Sequence, residues 1–481
     1  MFSVVGVRWA ALGLAGATAT TLAGADLLRD KPIRWWFDPH LPARGVVFYA
    51  GIAALCVAWL AIGRRLRRAG RPDASGDDRR VRQLLLVGAL WAIPMLLAPS
   101  LISRDLYSYL ADGALLHHGL DPFRHAPDAL SGIGQGHLQH AVSPFWRHTT
   151  APYGPGFVGL AALIAGATGG HLIAGVLLLR LLELAGVALL ATFVPRLARA
   201  LGADPGIAVW LAVISPLVLL ELLGAGHNDA LMVGLLVAGV TLALERRPLL
   251  GIALCAAATT IKLPAAAGIV FIAVAWARSD PDRRAGALLK STVVAGGVLA
   301  LVSLATGLGP DWITGSLSTP AKVRLAITPS TALGHTTGSA LHALGVVASS
   351  RAIESAVGVI ALALTALLGL WLLVRVRFAT LPWYLGLLLL ASVLGGPAAW
   401  PWYAIWGLAL IACCPPVERW RWLPLVIAAT TFLIRADGQL VLPREASPVM
   451  LALYATAAIV LLARRRQNWE PPLSRVAEFA Q

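Results

Sequence analysis

Little of this 481-residue chain is charged: Asp, Glu, Lys and Arg make up 13% of it, and lysine occurs only at Lys31, Lys262, Lys290 and Lys322. A soluble domain needs far more charged surface than that. Cysteine is as sparse. Cys56, Cys255, Cys413 and Cys414 lie inside or at the end of apolar segments and never in a CxxC spacing. That excludes a disulfide framework and a zinc site, and leaves the thiols as small hydrophobes. Other absences narrow the function. The chain has no GxxxxGK[ST] cradle of a transport ATPase and no other nucleotide fingerprint. It also has no low-complexity tail and no internal repeat of the kind that secondary transporters carry.

What is present is apolar. Hydrophobic residues make up 58% of the chain, mean hydropathy is +0.75, and apolar runs of about 18 residues or more recur along it, enough to cross a bilayer. The expected fold is an all-α polytopic membrane protein, one integral membrane domain over 1–481, with about 14 (12–16) transmembrane helices. The expected spans include 4–23, 206–223, 229–245, 248–261, 264–277, 402–414 and 422–436. The first has the look of a signal-peptide core with Arg8 ahead of it. Its apolar run is longer than such cores, and no cleavage site stands out, so it reads as a retained helix.

The net charge of +15 would suggest nucleic acid in a soluble protein. Here the arginines sit in short loops between spans, as Arg64, Arg65, Arg67, Arg68, Arg71, Arg79, Arg80 and Arg82 do in one linker. They mark the cytoplasmic side, so the implied partner is the lipid bilayer and not a polynucleotide. With those clusters inside, the first large outer loop is 102–155 and the second is 307–337. The turns 226–229, 262–264 and 396–403 join them on the outer face. The unusual polar residues therefore collect at the extracytoplasmic side of a multi-pass plasma-membrane protein.

Asp105, Tyr109 and Asp112 are spaced to share one face of a helix starting near Arg104. The plain alternative is a solvated amphipathic helix in the outer loop, and Asp112 reads that way. Asp105, close behind the span 83–101 and beside Arg104, is instead well placed to take a proton from a hydroxyl. Asp121 precedes Pro122 and reads first as a turn, with a substrate-positioning role as the second possibility. Tyr153, in Pro152-Tyr153-Gly154-Pro155, belongs to a rigid turn whose ring can also wall a sugar site. His227, Asn228 and Asp229 form a polar triplet that is costly at a membrane edge. Asn228 fits a helix cap, and at least one of the three is expected to meet substrate. Lys262 either snorkels to the surface or binds phosphate. Arg324 and His335, with Lys322, can hold an anionic leaving group, or form an ordinary basic loop at an anionic surface. Trp400, Trp402, Tyr403 and Trp406 suit an interfacial belt or a groove for an isoprenoid or sugar. Six of the eleven histidines, His117, His118, His125, His137, His140 and His148, fall in the first outer loop. Their spacing matches no HExxH or comparable ligand set, and no metal or other cofactor is expected.

The order Ser103-Arg104-Asp105-x-Tyr107-Ser108-Tyr109, Gly119-Leu120-Asp121-Pro122-Phe123, Trp146 with Pro152-Tyr153-Gly154-Pro155, then His227-Asn228-Asp229-Ala230-Leu231-Met232, Lys262-Leu263-Pro264 and Pro401-Trp402-Tyr403 with Trp406 resembles one family. It is that of the polyprenyl-phosphate-mannose-dependent α-(1→6)-mannopyranosyltransferases of lipomannan biosynthesis, within the GT-C class. Phe123 departs from the tyrosine common after Asp-Pro there. The resemblance implies a GT-C-like bundle and Asp105 as general base. It also implies a polyprenyl-phosphate-mannose donor and a lipid-anchored mannan acceptor, with inversion to an α-mannoside. Arg104, His227, Lys262 and Arg324 would hold the phosphate, and Tyr107, Tyr109 and Tyr153 would shape the sugar pocket. The rival expectation is a polyisoprenoid or glycolipid flippase, which should carry charge inside its spans along a translocation route. Arg180 and Glu183 are its candidates.

Sidedness is open to direct measurement. In a variant without native cysteines, single cysteines replacing Ser131 and Ser316 should react with an impermeant thiol reagent on intact cells, and one replacing Ser75 should not. Labelling at Ser75 alone would invert the topology.

Overall fold

An apolar run in a bilayer has no water to satisfy its backbone and can only close its own hydrogen bonds, so it forms helix. The computed structural model of the chain describes residues 5–27, 43–71, 73–322, 328–415, 417, 420–433, 435, 438 and 443–468. Among them every regular element is helical. Among the described residues six helices are long and apolar enough to cross a membrane: Arg44–Ala69, Ser75–Leu97, Leu172–Ala200, Pro281–Thr306, Ser350–Leu373 and Phe378–Gly395. A seventh is added if the bent pair Pro205–Ala212 and Pro216–Gly224 counts as one.

The expected number of about 14 spans is not reached on this measure, because an apolar run is not always one helix. The run 206–223 bends by 41° where Pro216 lacks an N–H and the Ser215 side chain caps the restarted helix at Val218 N, 3.4 Å away. The runs 248–261 and 402–414 yield Pro248–Thr259 and Pro401–Ile411, too short to cross about 30 Å of hydrocarbon. The first helix, Val7–Leu27, is packed into the bundle. Trp91 Nε1 donates to its Ala10 carbonyl at 2.9 Å.

The segment 102–155, expected as the first outer loop, holds no surface-lying amphipathic helix at its start. Asp105–His117 is buried on every side from Leu106 to Leu115, Asp112 included, against the expectation of a solvated Asp112 face. It lies hard against Pro155–Thr168. A Cβ on Gly113 would sit 2.3 Å from the Ala161 backbone, so only glycine permits the approach. The two segments expected as outer loops dock on each other. Arg124 Nε meets Asp311 Oδ2 at 3.0 Å and Ser316 Oγ donates to the Pro152 carbonyl at 2.7 Å. Phe123, Ala151, Val158, Leu308 and Trp312 form a small core between them.

The segment leading into Asp105 is fixed by one buried arginine. Arg180, on Leu172–Ala200, donates to the carbonyls of Leu223 at 2.8 Å, Pro99 at 3.0 Å, Gly224 at 3.0 Å and Met95. These are carbonyls left over where two helices end. Leu101 N and Ser100 Oγ add bonds to the Gly224 and Ala225 carbonyls at 3.0 Å and 3.1 Å. Ile102 is held at φ 49°, a conformation that a β-branched residue adopts only under constraint. Arg180→Met should therefore take the side-chain donor from four buried carbonyls, of which Gly224 keeps Leu101 N, and cost ~3 kcal/mol or more. It is measurable as a lower apparent melting temperature in detergent, and Arg180→Lys should recover only part of the loss.

Candidate active site

Four places where the chain leaves helical geometry meet at one cavity. Asp105 is the first residue of Asp105–His117, with Arg104 at its N-cap position and Ser103 Oγ accepting from Asp105 N at 3.1 Å. His227, Asn228 and Asp229 lie between the π-helical turn Leu219–Gly224 and the helix Asp229–Leu244. Gly226, at φ +75°, makes that bend, and a side chain there would strike Leu106. Lys262 is extended between Pro248–Thr259 and Leu263–Ala265. Trp402 and Tyr403 form the short turn Pro401–Tyr403.

The cavity is about 1230 Å³. Its lining includes the polar Arg104, Asp105, Tyr153, Lys262 and Tyr403 and the apolar Val359, Leu362, Leu388, Leu389 and Val393. A lining of both kinds suits a polar head and an apolar tail.

The expected site residues fall into three groups. Asp105, Arg104, Tyr153, Lys262, His335, Trp402 and Tyr403 line the cavity. Tyr107, Tyr109, His227, Asn228 and Asp229 are buried behind its wall. Asp121 is away from the lining. It closes a turn by accepting from Phe123 N at 2.8 Å and lies 3.6 Å from Arg124. Arg324 lies outside the described residues.

Behind the wall, the polar triplet serves the lining residues. His227 is fully buried, its Nδ1 3.0 Å from Asp105 Oδ2 and its Nε2 3.6 Å from Glu221 Oε2. Its ring stacks on Trp402 with centroids 3.7 Å apart. Tyr109 accepts from Asn228 N at 3.2 Å and donates to the same Asp105 Oδ2 at 3.4 Å. His227 and Tyr109 thus share one oxygen of Asp105, Ser103 is a further hydrogen-bond partner, and the residue lines the cavity. Asn228 occupies the N-cap position expected of it, but its side chain makes no capping bond. Asp229 is spent on two donors, Lys262 Nζ at 2.8 Å and the indole N–H of Trp406. Lys262 also lies 4.8 Å over the Tyr403 ring. It faces inward, not to the surface.

At the cavity's other polar point His335 Nδ1 is 3.2 Å from Glu354 Oε1, and Arg444 pairs with the same carboxylate. Glu354, Arg444 and Glu221 were missed by the reading of the sequence. Glu221 had a signal, as a lone acid within the apolar run 206–223. Arg180, one of the two expected translocation charges, is spent on backbone carbonyls instead. Among the described residues no group of three His, Cys, Asp or Glu side chains is arranged to hold a metal ion.

Burial opposes charge on Asp105, but the hydrogen bond from His227 and the positive charges of His227 and Lys262 outweigh it and hold the carboxyl below the ordinary carboxylate range. Burial also opposes charge on His227, yet its contacts with Asp105 and Glu221 push it up to about 9. At neutral pH the pair is therefore a carboxylate and an imidazolium.

The family model described as "Alpha-(1->6)-mannopyranosyltransferase, N-terminal domain" matches residues 2–278. The chain is 33% identical to alpha-(1->6)-mannopyranosyltransferase A of Mycobacterium tuberculosis over 453 residues, covering 89% of this chain and 84% of the relative. It is 27% identical to alpha-(1->6)-mannopyranosyltransferase B of Corynebacterium glutamicum over 451 residues, 86% of this chain and 72% of the relative. No solved structure matches it.

The Asp105–His227 pair has a defined pH window. The His227 contribution, with its folded value raised, is full below the ordinary 6.5 and lost as pH rises through about 9. The Asp105 contribution, with its folded value depressed, is full above the ordinary 3.8 and lost as pH falls through the lower value. The difference in thermal stability between the parent and His227→Gln should therefore be greatest from about pH 4 to 6.5 and should shrink above pH 9. A difference that does not change across that range would separate the pair from stability.

Proposed function

This chain belongs to the alpha-(1->6)-mannopyranosyltransferase family, it is a glycosyltransferase, and from that premise we propose that it transfers mannose from polyprenyl-phosphate-mannose to a lipid-anchored mannan acceptor at the extracytoplasmic face. Asp105 is the general base. The observation that carries this reading is the carboxylate of Asp105 in the lining of the cavity, backed by His227 and joined there by Lys262.

The step is one displacement. The acceptor hydroxyl oxygen forms a bond to the anomeric carbon as the bond from that carbon to the phosphate oxygen breaks. Its electron pair leaves with the phosphate, and the hydroxyl proton goes to the Asp105 carboxylate. A β-linked donor therefore gives an α product. Lys262, with N–H groups beyond the one bonded to Asp229, and Arg104 stand by to meet the phosphate. Tyr153 and Tyr403 flank the sugar, and the apolar length of the cavity takes the start of the prenyl chain. The outer face is supported by chain geometry. Ser75–Leu97, 23 residues and hence ~34 Å long, carries Arg79, Arg80 and Arg82 near its start and leads from that basic end to the segment of Asp105.

Arg180 bears against the flippase reading, since a charge locked onto four backbone carbonyls does not line a route.

Purified protein supplied with polyprenyl-phosphate-mannose should extend a short α-mannoside, with an α linkage by NMR coupling. Asp105→Asn should insert normally and lose about 100- to 10,000-fold in turnover. Transfer from a sugar nucleotide without lipid carrier, a β product, or near-parental turnover by Asp105→Asn would each overturn part of the proposal.

A further inference from the structure

We infer that Glu221 is a positioning residue for the proton transfer: its carboxylate keeps the His227 imidazole charged and aligned beneath Asp105 while Asp105 takes the acceptor's proton. The inference rests on the reading of Asp105 as the base and adds to it a residue that no substrate touches.

The geometry is a line of three groups from three elements. Asp105 Oδ2 and His227 Nδ1 are 3.0 Å apart, and His227 Nε2 and Glu221 Oε2 are 3.6 Å apart. Glu221 is 1% exposed and His227 is fully buried. The second distance is that of an ion pair, longer than a hydrogen bond. The ring cannot turn away, because Trp402 stacks on it with an interplanar angle of 15°. Glu221 reaches the ring from the π-helical turn Leu219–Gly224. Such turns displace one residue from the α-helical register and cluster at functional sites.

The need for a second carboxylate appears when the charges are followed through the reaction. Before transfer, the imidazolium lies between Asp105 and Glu221. Once Asp105 carries the acceptor's proton it is neutral, and the imidazolium would be a buried cation without a counter-charge, a state costing several kcal/mol. Glu221 remains ionised on the other side and holds the charge. The neighbouring groups do not substitute for it. Asp229 and Lys262 are committed to each other at 2.8 Å. Tyr109 is a neutral donor to Asp105, and the anions that act on His227 are Asp105 and Glu221.

The test is the pH–rate profile of Glu221→Gln with the lipid donor and a synthetic α-mannoside acceptor. Turnover should fall roughly 10- to 100-fold, as for outer-shell partners elsewhere, with KM for both substrates within about two-fold of the parent. The alkaline limb should move to lower pH, since His227 has lost one of its two anions. Glu221→Asp, which keeps the charge one methylene back, should restore part of the turnover and return the limb toward the parent's position. A variant that merely loosens the fold would lower yield or turnover without moving the limb. Where Glu221→Gln does not accumulate, Glu221→Asp alone decides, by a partial loss of turnover or by parental kinetics. Parental turnover and profile in Glu221→Gln, or in Glu221→Asp where Glu221→Gln does not accumulate, with Asp105→Asn inactive, would overturn the role of Glu221 and leave the base assignment standing. Parental turnover by Asp105→Asn would remove the base assignment and this inference with it.

Discussion

Arg180 is the constraint on which the rest of the site depends. A membrane interior offers no water to a broken helix, so every carbonyl released at a break has to find a donor inside the protein. The helix ending at Leu97 and the turn ending at Gly224 both stop at the same depth, and one guanidinium answers both. Arginine suits this because its donors are spread over a rigid fork, whereas a lysine ammonium offers three from a single point. Once the two ends are tied, the strained peptide at Ile102 has only one way to run, and Asp105 emerges at the head of a helix that is packed on all sides.

The same rule explains why the site is made of interruptions. A continuous helix presents no backbone polarity and few ways to aim a short acidic side chain across a bundle. A helix start, a π-turn with a glycine bend, an extended lysine and a short tryptophan-tyrosine turn do so, each from a different segment. Their convergence lets two ion pairs, Asp105 with His227 and Lys262 with Asp229, lie side by side where isolated charges would be neutralised. Each pair puts one member into the cavity and keeps the other behind the wall.

That division sets what was legible in the sequence. Composition and the apolar runs give an all-helical membrane protein directly, and the motifs at Asp105, His227 and Lys262 mark the segments that meet. Residue spacing cannot say which member of a motif faces the substrate. His227, Asn228 and Asp229 are conspicuous because polar residues are costly there, and the same cost is met by burial against protein partners instead of by a ligand. The expected number of spans is not matched by six long apolar helices among the described residues for a related reason: hydropathy records apolar runs and does not see Ser215-Pro216 restarting a helix. Glu221 was visible as a lone acid in an apolar run, but its purpose depends on a π-turn that shifts its register and on a histidine six residues later that folds back toward it.

The Lys262–Asp229 pair completes the logic of the proposed reaction. A free ammonium facing the cavity would bind the departing polyprenyl phosphate tightly, and product release would then limit turnover. With Asp229 holding it at 2.8 Å and the Tyr403 ring beneath it, Lys262 offers its remaining N–H groups with its charge already partly answered. It can steady a phosphate while charge grows on the leaving oxygen, yet return to Asp229 when the lipid departs. Asp105 is tempered in the same way by His227, which keeps it ionised and ready without making it a strong base. The pocket is thus polar enough to guide a displacement and balanced enough to be emptied afterwards, as the proposed reaction requires.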